Sequence, residues 1–479
     1  MIKRILVIGF LLLSLLALGS FVSIAPGGKY FEHNGKILIP LGFNDGIIWP
    51  SLSPTLLGNR EAADRYFKKL KSYGVNTLRI MFEYAEDRNN LSLFEDPLGV
   101  QNEIVIEAWD MIFELAEKYN IYIIITPWDP YWMHKNWDVN PYNKANGGPI
   151  DTLSEFLTNE TVIKNAKERY AFMIDRYGSS EQLLAWELNN EIELWYGKLW
   201  GKSDRKIVKE TKKWVKEMAT YIKTHEIEKY GQTHLLTIST AFPAPTSLDF
   251  FKLYDIQDLD FFTTHFYLGS VKNPSDPLLI AEGVSEIIKY HNYVFNNSKP
   301  FMDSESGPID NWPQNVADDI TAYRTFSWTH LASGGTGIGM RWPYVIPHKM
   351  PAYLLSVIRA ISKFIDSSGI DWLNFSGVNM DDRIISKKPT DLFITACGNT
   401  EKEPQESIGY GLMPGNKNIG DFSIELSGLC EGHYIFELWD TESGETITSG
   451  YLKSDDGTLI LSGKINRPEF AFKIYKRGE

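Results

Sequence analysis

The chain has 479 residues, 43% of them apolar, and a net charge of −13. That length suits one large α/β barrel with an appendage, and the apolar content can fill a sizeable core. The acidic balance argues against a nucleic-acid partner, which needs a basic surface, and suits a neutral substrate.

The chain begins with Lys3 and Arg4 ahead of an apolar run from Ile5 to Leu18, with small residues after it. This is the plan of an export leader. Ser23-Ile24-Ala25 and Ala17-Leu18-Gly19 both place small residues where a signal peptidase reads. The stretch is also long enough to span a bilayer if it is kept. Residues 1–25 are therefore expected to be a signal peptide or a membrane anchor, with the rest of the chain secreted or held outside. A membrane partner is expected only if the leader is retained.

An Asn34-Gly35 turn then separates two short runs, predicting a hairpin around residues 30–41. From there strand and helix patterns alternate. Strands are predicted from Ile39 to Phe43, Val75 to Phe82, Ile121 to Thr126 and Leu183 onward, and again from Leu235 to Ser239, Leu259 to Phe266, Pro300 to Met302 and Gly337 to Trp342. Helices are predicted from Arg60 to Tyr73, Glu103 to Tyr119, Thr161 to Tyr177, Arg205 to Tyr230, Leu279 to Asn296, Val316 to Ala332 and Ala352 to Ile365. Strands that are apolar on both faces and separated by helices belong to a parallel sheet. Eight such repeats favour a closed (β/α)8 TIM barrel over residues 26–368. No Gly-x-Gly-x-x-Gly turn follows the first strand, which weakens a dinucleotide-binding alternative.

Beyond residue 370 the helical period disappears. Short strand-like runs separated by turns such as Asp455-Asp456-Gly457 predict a small all-β sandwich over residues 369–479. Cys397 and Cys430 lie in this region. In an exported protein they could pair; two separate buried thiols are an equal alternative.

Two places concentrate polar residues at the end of a predicted strand. One is Leu183-Leu184-Ala185-Trp186-Glu187-Leu188-Asn189-Asn190-Glu191; the other is Phe301-Met302-Asp303-Ser304-Glu305. A barrel brings the ends of its strands to one rim, so Glu191 and Glu305 face each other across one pocket. Two carboxyls in unlike environments are what glycosidic cleavage requires, one as a proton donor and one ionised. Glu187, within the strand, is expected to be structural and buried near Arg79. Asp303 is a lesser candidate for the ionised carboxylate. The 14 Trp and 24 Tyr either fill a large core or stack on sugar rings. The stretch from Pro127 to Thr158 is too long for a plain connection. It carries Trp128, Tyr131, Trp132, His134, Trp137 and Tyr142 and is expected to wall a sugar-binding cleft, with a cap on the barrel that touches no ligand as an equal alternative. Trp195, Trp200 and Trp312 are further candidates at the rim.

These motifs together resemble glycoside hydrolase family 5. The resemblance rests on Asn76-Thr77-Leu78-Arg79, Trp186 to Glu191, His265-Phe266-Tyr267 and the Glu305 strand, all in order at strand ends. It implies a retaining, endo-acting enzyme of the mannanase and cellulase kind, working on β-1,4-linked mannan or glucan. It implies Glu191 as acid/base and Glu305 as nucleophile. Asn190 would bind the sugar 2-hydroxyl, Arg79 would support the nucleophile, and His265 and Tyr267 would line the pocket. Trp342 would floor the cleavage subsite, and Trp128 would be a sugar platform. No cofactor or metal is implied, and a monomer acting on a polysaccharide or oligosaccharide is expected. Two positions depart from the family pattern. Ile192 stands where proline is usual, and strand three ends in Thr126-Pro127-Trp128-Asp129 without the frequent histidine. A non-catalytic carbohydrate-binding barrel and a transglycosylase remain as alternatives.

Overall fold

The computed structural model describes residues 20–87, 90–197, 204–242, 251–267, 276–296, 298–307, 315–343 and 349–477. Parallel strands alternate with helices and close on themselves. The strands are Gly42–Asn44, Thr77–Met81, Tyr122–Thr126, Leu183–Glu187 and Leu235–Thr237, joined side by side in that order. Ser239–Thr240 continues the fifth strand and pairs with Phe262–Tyr267, which pairs with Phe301–Gly307. Arg341 closes the ring by bridging Phe43 on one side and Ser306 on the other. The eighth strand expected from Gly337 to Trp342 is reduced to this bridge. The Gly334, Gly337 and Gly339 backbones there are left-handed, so the segment cannot lie as regular strand.

The helices begin where the sequence supplies acceptors for their free N–H groups. Asn59 caps Arg60–Ser72, Asn102 caps Glu103–Tyr119, Asn159 caps Glu160–Tyr177 and Asp204 caps Arg205–Tyr230. Asp276 and Asn315 do the same for Pro277–Val294 and Val316–Ala332. The seventh strand runs five residues past its expected end, so Glu305 lies inside it.

The lower end of the barrel is stopped by a small antiparallel sheet of Ser23–Ile24, Phe31–His33 and Lys36–Leu38. Val22, Phe31 and Leu38 pack under the barrel against Tyr122, Leu184, Leu235, Phe261 and Met302. Phe21 stacks on His234 with ring centres 3.7 Å apart. The expected boundary at residue 26 is therefore not a structural one: residues 20–25 belong to the barrel because their apolar side chains cover its open end. Most of the expected leader lies outside the described residues. Among the described residues no helix is long and apolar enough to cross a membrane.

After the last barrel helix, Ala352–Asp366, two antiparallel sheets form a sandwich. One is the six-stranded sheet that includes Phe393–Gly398, Glu406–Leu412, Gly432–Asp440, Glu445–Ser454 and Glu469–Lys476. The other joins Ile384–Lys388, Gly420–Leu426 and Leu459–Ile465. The sandwich has its own core around Phe422, Leu438, Leu461 and Phe470. It also shares the barrel's core: Cys397, Ile408, Tyr410, Trp439 and Ala471 are continuous with it. Trp328 Nε1 donates to Thr441 O at 3.1 Å, and Arg324 pairs with buried Glu469, which also accepts from Tyr410. Cys397 and Cys430 are both free, so the alternative of a disulfide falls. Cys397 faces Leu331 O across the domain contact, while Cys430 sits at the outer edge against Glu403 O.

Candidate active site

The fourth strand stops at Glu187, and five neighbours then pin the residues that follow. Leu188 N–H donates to Thr237 O at 2.8 Å, and Tyr170 Oη–H donates to Leu188 O at 2.8 Å. Asn190 N–H donates to Trp128 O at 3.1 Å, and Glu191 N–H to Ser239 Oγ at 3.0 Å. Trp195 Nε1–H reaches Asn189 Oδ1 at 3.0 Å. These bonds hold Glu191 in a left-handed conformation, φ 45° and ψ 63°. That conformation costs a non-glycine residue about 1–2 kcal/mol, and the surrounding bonds offset it.

Arg79 organises the floor. Its Nε donates to Glu187 Oε2 at 2.5 Å and its Nη2 to Glu187 Oε1 at 2.7 Å, a two-point pairing of a planar fork with a carboxylate. Nη1 reaches Glu305 Oε2 at 2.9 Å and Asn44 Oδ1 at 2.6 Å, and Nη2 also reaches Asn190 Oδ1 at 2.7 Å. Both Arg79 and Glu187 have fully buried side chains. Burial alone would lift the Glu187 carboxyl, but Arg79 more than reverses this and holds it below its usual range.

Glu305 is gripped at both oxygens, Oε2 by Arg79 and Oε1 by the Tyr267 hydroxyl. Burial raises its carboxyl, with His265, Arg79 and Tyr267 acting in the opposite direction. Glu191 Oε1 lies 2.7 Å from His265 Nδ1. Burial pushes the Glu191 carboxyl up to about 7 and the His265 imidazole down to about 4. The neutral ring fits best with Nδ1–H donating to Oε1, which leaves Oε2 to carry an acid proton. Nε2 is then a bare acceptor; it is buried and has no partner among the described residues.

One oxygen of Glu191, one of Glu305 and one His265 nitrogen lie within 4.8 Å of one another. Two carboxylates and an imidazole are a donor set able to hold a divalent cation. The same atoms are already engaged with Arg79, Tyr267 and each other, an arrangement that suits proton transfer and nucleophilic attack.

Arg79, Asn190, Glu191, His265, Tyr267 and Glu305 thus converge, as their positions at strand ends predict. Trp342 is 5% exposed beside them, its ring 6.4 Å from Trp49 and 6.3 Å from Tyr84. Trp128 is not a platform. It is 1% exposed and packs among Phe156, Tyr170 and Trp214, with the Arg169 guanidinium 5.1 Å from its ring centre. Arg169 in turn pairs with Glu83 at 2.8 Å, so this tryptophan sits over a buried ion pair. Trp195 is also internal, stacked on Phe156 at 3.8 Å, and Tyr142 is buried. Only part of the Pro127–Thr158 stretch can face a cleft: Tyr131 is exposed, and half-buried Trp132 packs on Trp49 at 4.8 Å. Trp200 and Trp312 lie outside the described residues. Asp303 is fully buried, its Oδ1 accepting from Phe266 N–H at 2.9 Å. The register slips by one residue across Ser304, so Asp303 and Glu305 do not share the alternation expected of them.

Three contributors had no sequence signal of their own. Asn44, Asp129 and Ser239 come from strand one, the loop after strand three and strand five. Each was legible only as a polar residue at a strand end. Asp129 Oδ1 accepts from Asn190 Nδ2–H at 3.0 Å, and burial lifts its carboxyl to about 7.

The sequence profile of the family described as Cellulase (glycosyl hydrolase family 5) matches residues 44–332. The chain is 26% identical over 267 residues to mannan endo-1,4-beta-mannosidase 4 of Solanum lycopersicum, covering 50% of this chain and 61% of that protein. It is 30% identical over 257 residues to a probable mannan endo-1,4-beta-mannosidase F of Aspergillus flavus, covering 50% and 49%. The chain thus spans about half to three-fifths of the length of these curated relatives. In fold it resembles a glycoside hydrolase family 5 crystal structure from Bacteroides vulgatus, with a TM-score of 0.59 at 14% identity over 95% of this chain and 94% of that one.

Proposed function

The chain belongs to glycosyl hydrolase family 5, and on that premise we propose that it is a retaining endo-β-1,4-glycosidase acting on β-mannan. The observation that carries the stereochemistry is the approach of Glu191 and Glu305 oxygens to within 4.8 Å. Retaining pairs stand about 5–5.5 Å apart, whereas an inverting pair needs about 6.5–9.5 Å to admit water. The choice of mannan is supported by the names of the relatives. Glucan is the competing substrate, and it differs at the 2-hydroxyl.

Glu305 attacks the anomeric carbon while Glu191 protonates the leaving oxygen. A glycosyl ester on Glu305 results. Glu191, now ionised, takes a proton from water, which attacks the same carbon and frees Glu305. Arg79 and Tyr267 keep the nucleophile aimed and ionised, and His265 holds one oxygen of Glu191 so that the other meets the leaving group. Asn190 binds the 2-hydroxyl, and Trp342 lies under the sugar.

We further take the enzyme to be exported as a monomer, either released or held by its leader. The charge-then-apolar plan of residues 3–18 supports the export. Incubation with soluble mannan and with soluble glucan, followed by reducing-end detection and NMR of the first-formed anomer, tests the proposal. Retained β-anomers from mannan are expected. Release of α-anomers would overturn the mechanism, and product only from glucan would overturn the substrate. Growth of longer chains at high acceptor concentration would mark a transglycosylase.

A further inference from the structure

We propose that Asp129 is a positioning residue that fixes the Asn190 amide, and through it the hydrogen bond given to the sugar hydroxyl beside the anomeric carbon. This deepens the glycosidase reading above and rests on it. An asparagine side chain has one accepting and one donating end, and a half-turn exchanges them. Here both ends are specified by their partners. Arg79 Nη2 can only donate, so the end it meets at 2.7 Å is the oxygen. Asp129 Oδ1 already accepts the Tyr131 N–H, so the end it meets at 3.0 Å is the amino group. One N–H of that amino group is held by Asp129, and the other remains for a ligand.

Asp129 is itself immobile. It is 7% exposed, and it caps the short Pro130–Lys135 helix by accepting the Tyr131 N–H on the same Oδ1 at 3.0 Å. Asn190 is therefore clamped from both sides, by the strand-two arginine and by the start of the helix after strand three. Without Asp129 only its oxygen end is held, by Arg79 and, at 3.5 Å, by the Ser239 hydroxyl. The amide plane can then pivot about that end and carry its second N–H out of line. Asp129 need not touch the sugar to have this effect. It acts through Asn190, which immediately precedes Glu191.

The test compares a 2,4-dinitrophenyl β-mannobioside with its analogue lacking the 2-hydroxyl on the sugar being cleaved. The intrinsic reactivity of the two substrates cancels when their kcat/KM ratio is compared between wild type and variants. Asp129→Ala should lower kcat/KM on the hydroxylated substrate by at least about tenfold and change the deoxy substrate by less than about twofold. Asp129→Ser keeps the helix cap but is too short to reach Asn190. It should show the same selective loss with wild-type thermal stability, which keeps the test decisive if the alanine variant fails to fold. Asp129→Asn can still present an oxygen to both N–H groups and should recover most of the ratio. Equal losses on both substrates, or no loss on either, would overturn the role of Asp129 while leaving the glycosidase reading intact. A wild-type enzyme inactive on both would overturn that reading itself.

Discussion

His265 Nδ1 lies 2.7 Å from Glu191 Oε1, and burial drives both groups toward their uncharged forms. A cationic imidazole at that distance would strip Glu191 of its proton. A neutral one orients the carboxyl and leaves the proton in place up to about neutral pH.

The pH profile follows from this pairing. In the proposed mechanism turnover needs Glu305 ionised and Glu191 protonated. With Glu191 at about 7, kcat/KM on an aryl mannoside with a poor leaving group should fall as pH rises through about 7. The acid limb follows Glu305, which burial holds above the usual carboxylate range. With a dinitrophenyl leaving group, which needs no protonation, the Glu191→Ala variant should lose its basic limb. A basic limb that survives would remove Glu191 from the role of acid.

Glu305→Ala should abolish turnover, a loss on the order of a millionfold. Glu191→Ala should be rescued by azide on activated substrates to give a β-glycosyl azide, because azide then replaces water on the intact ester. In Glu305→Ala any azide product should be of inverted configuration. NMR of the isolated azides distinguishes the two, and identical anomers from both variants would refute the assignment.

The same burial that keeps Glu191 protonated makes it a burden when ionised. Its folded value of about 7 lies above the usual 4.5, so the native state binds the proton more tightly than the unfolded chain. The stabilisation this gives is complete below pH 4.5 and is lost as pH rises through 7. Glu191→Gln should therefore raise stability by about 1–3 kcal/mol at pH 8 and by little at pH 4. Melting temperatures at the two pH values check this, and an equal gain at both would contradict it.

Arg79→Met removes the cation from between two buried carboxylates. Glu187, fully buried and left unpaired, should lower stability by about 3–5 kcal/mol in urea unfolding. Adding Glu187→Met should restore much of that stability while activity stays lost, because Glu305 and Asn190 still lack their donor. Restored activity in the double variant would show that Arg79 serves only the fold.

Much of the fold and the central pair were readable because they rest on local chemistry. Apolar runs, capping asparagines and glycine stops mark the barrel elements, and a barrel forces strand ends to a common rim. What could not be read depends on neighbours remote in sequence. Trp128 looks like an exposed rim tryptophan until Arg169, forty-one residues later, comes to lie over its ring and fill the space behind strand three. Strand eight has a plausible apolar run, but left-handed glycines reduce it to one bridging residue. Asp129 and Asn44 are ordinary polar residues until folding brings them to Asn190 and Arg79. Glu406–Leu412 and Glu469–Lys476, strands that the sequence pattern missed, are buried almost throughout.

The contact between sandwich and barrel bears on the catalytic strand. The Val316–Ala332 helix meets the sandwich through Arg324 and Trp328, and two residues later His330 Nε2 accepts the backbone N–H of Asp303 at 3.0 Å. Asp303 lies two residues before Glu305, the proposed nucleophile, on the same strand. The C-terminal unit is thus a brace behind the Glu305 strand, unlike a tethered accessory that recombination could trade between enzymes. Engineers who cut near residue 368 to obtain a minimal catalyst would strip that brace and bare an apolar wall. Calorimetry of the intact chain should show both units melting in one transition. Improvement of the catalyst then calls for shuffling barrel and sandwich as a single heritable block.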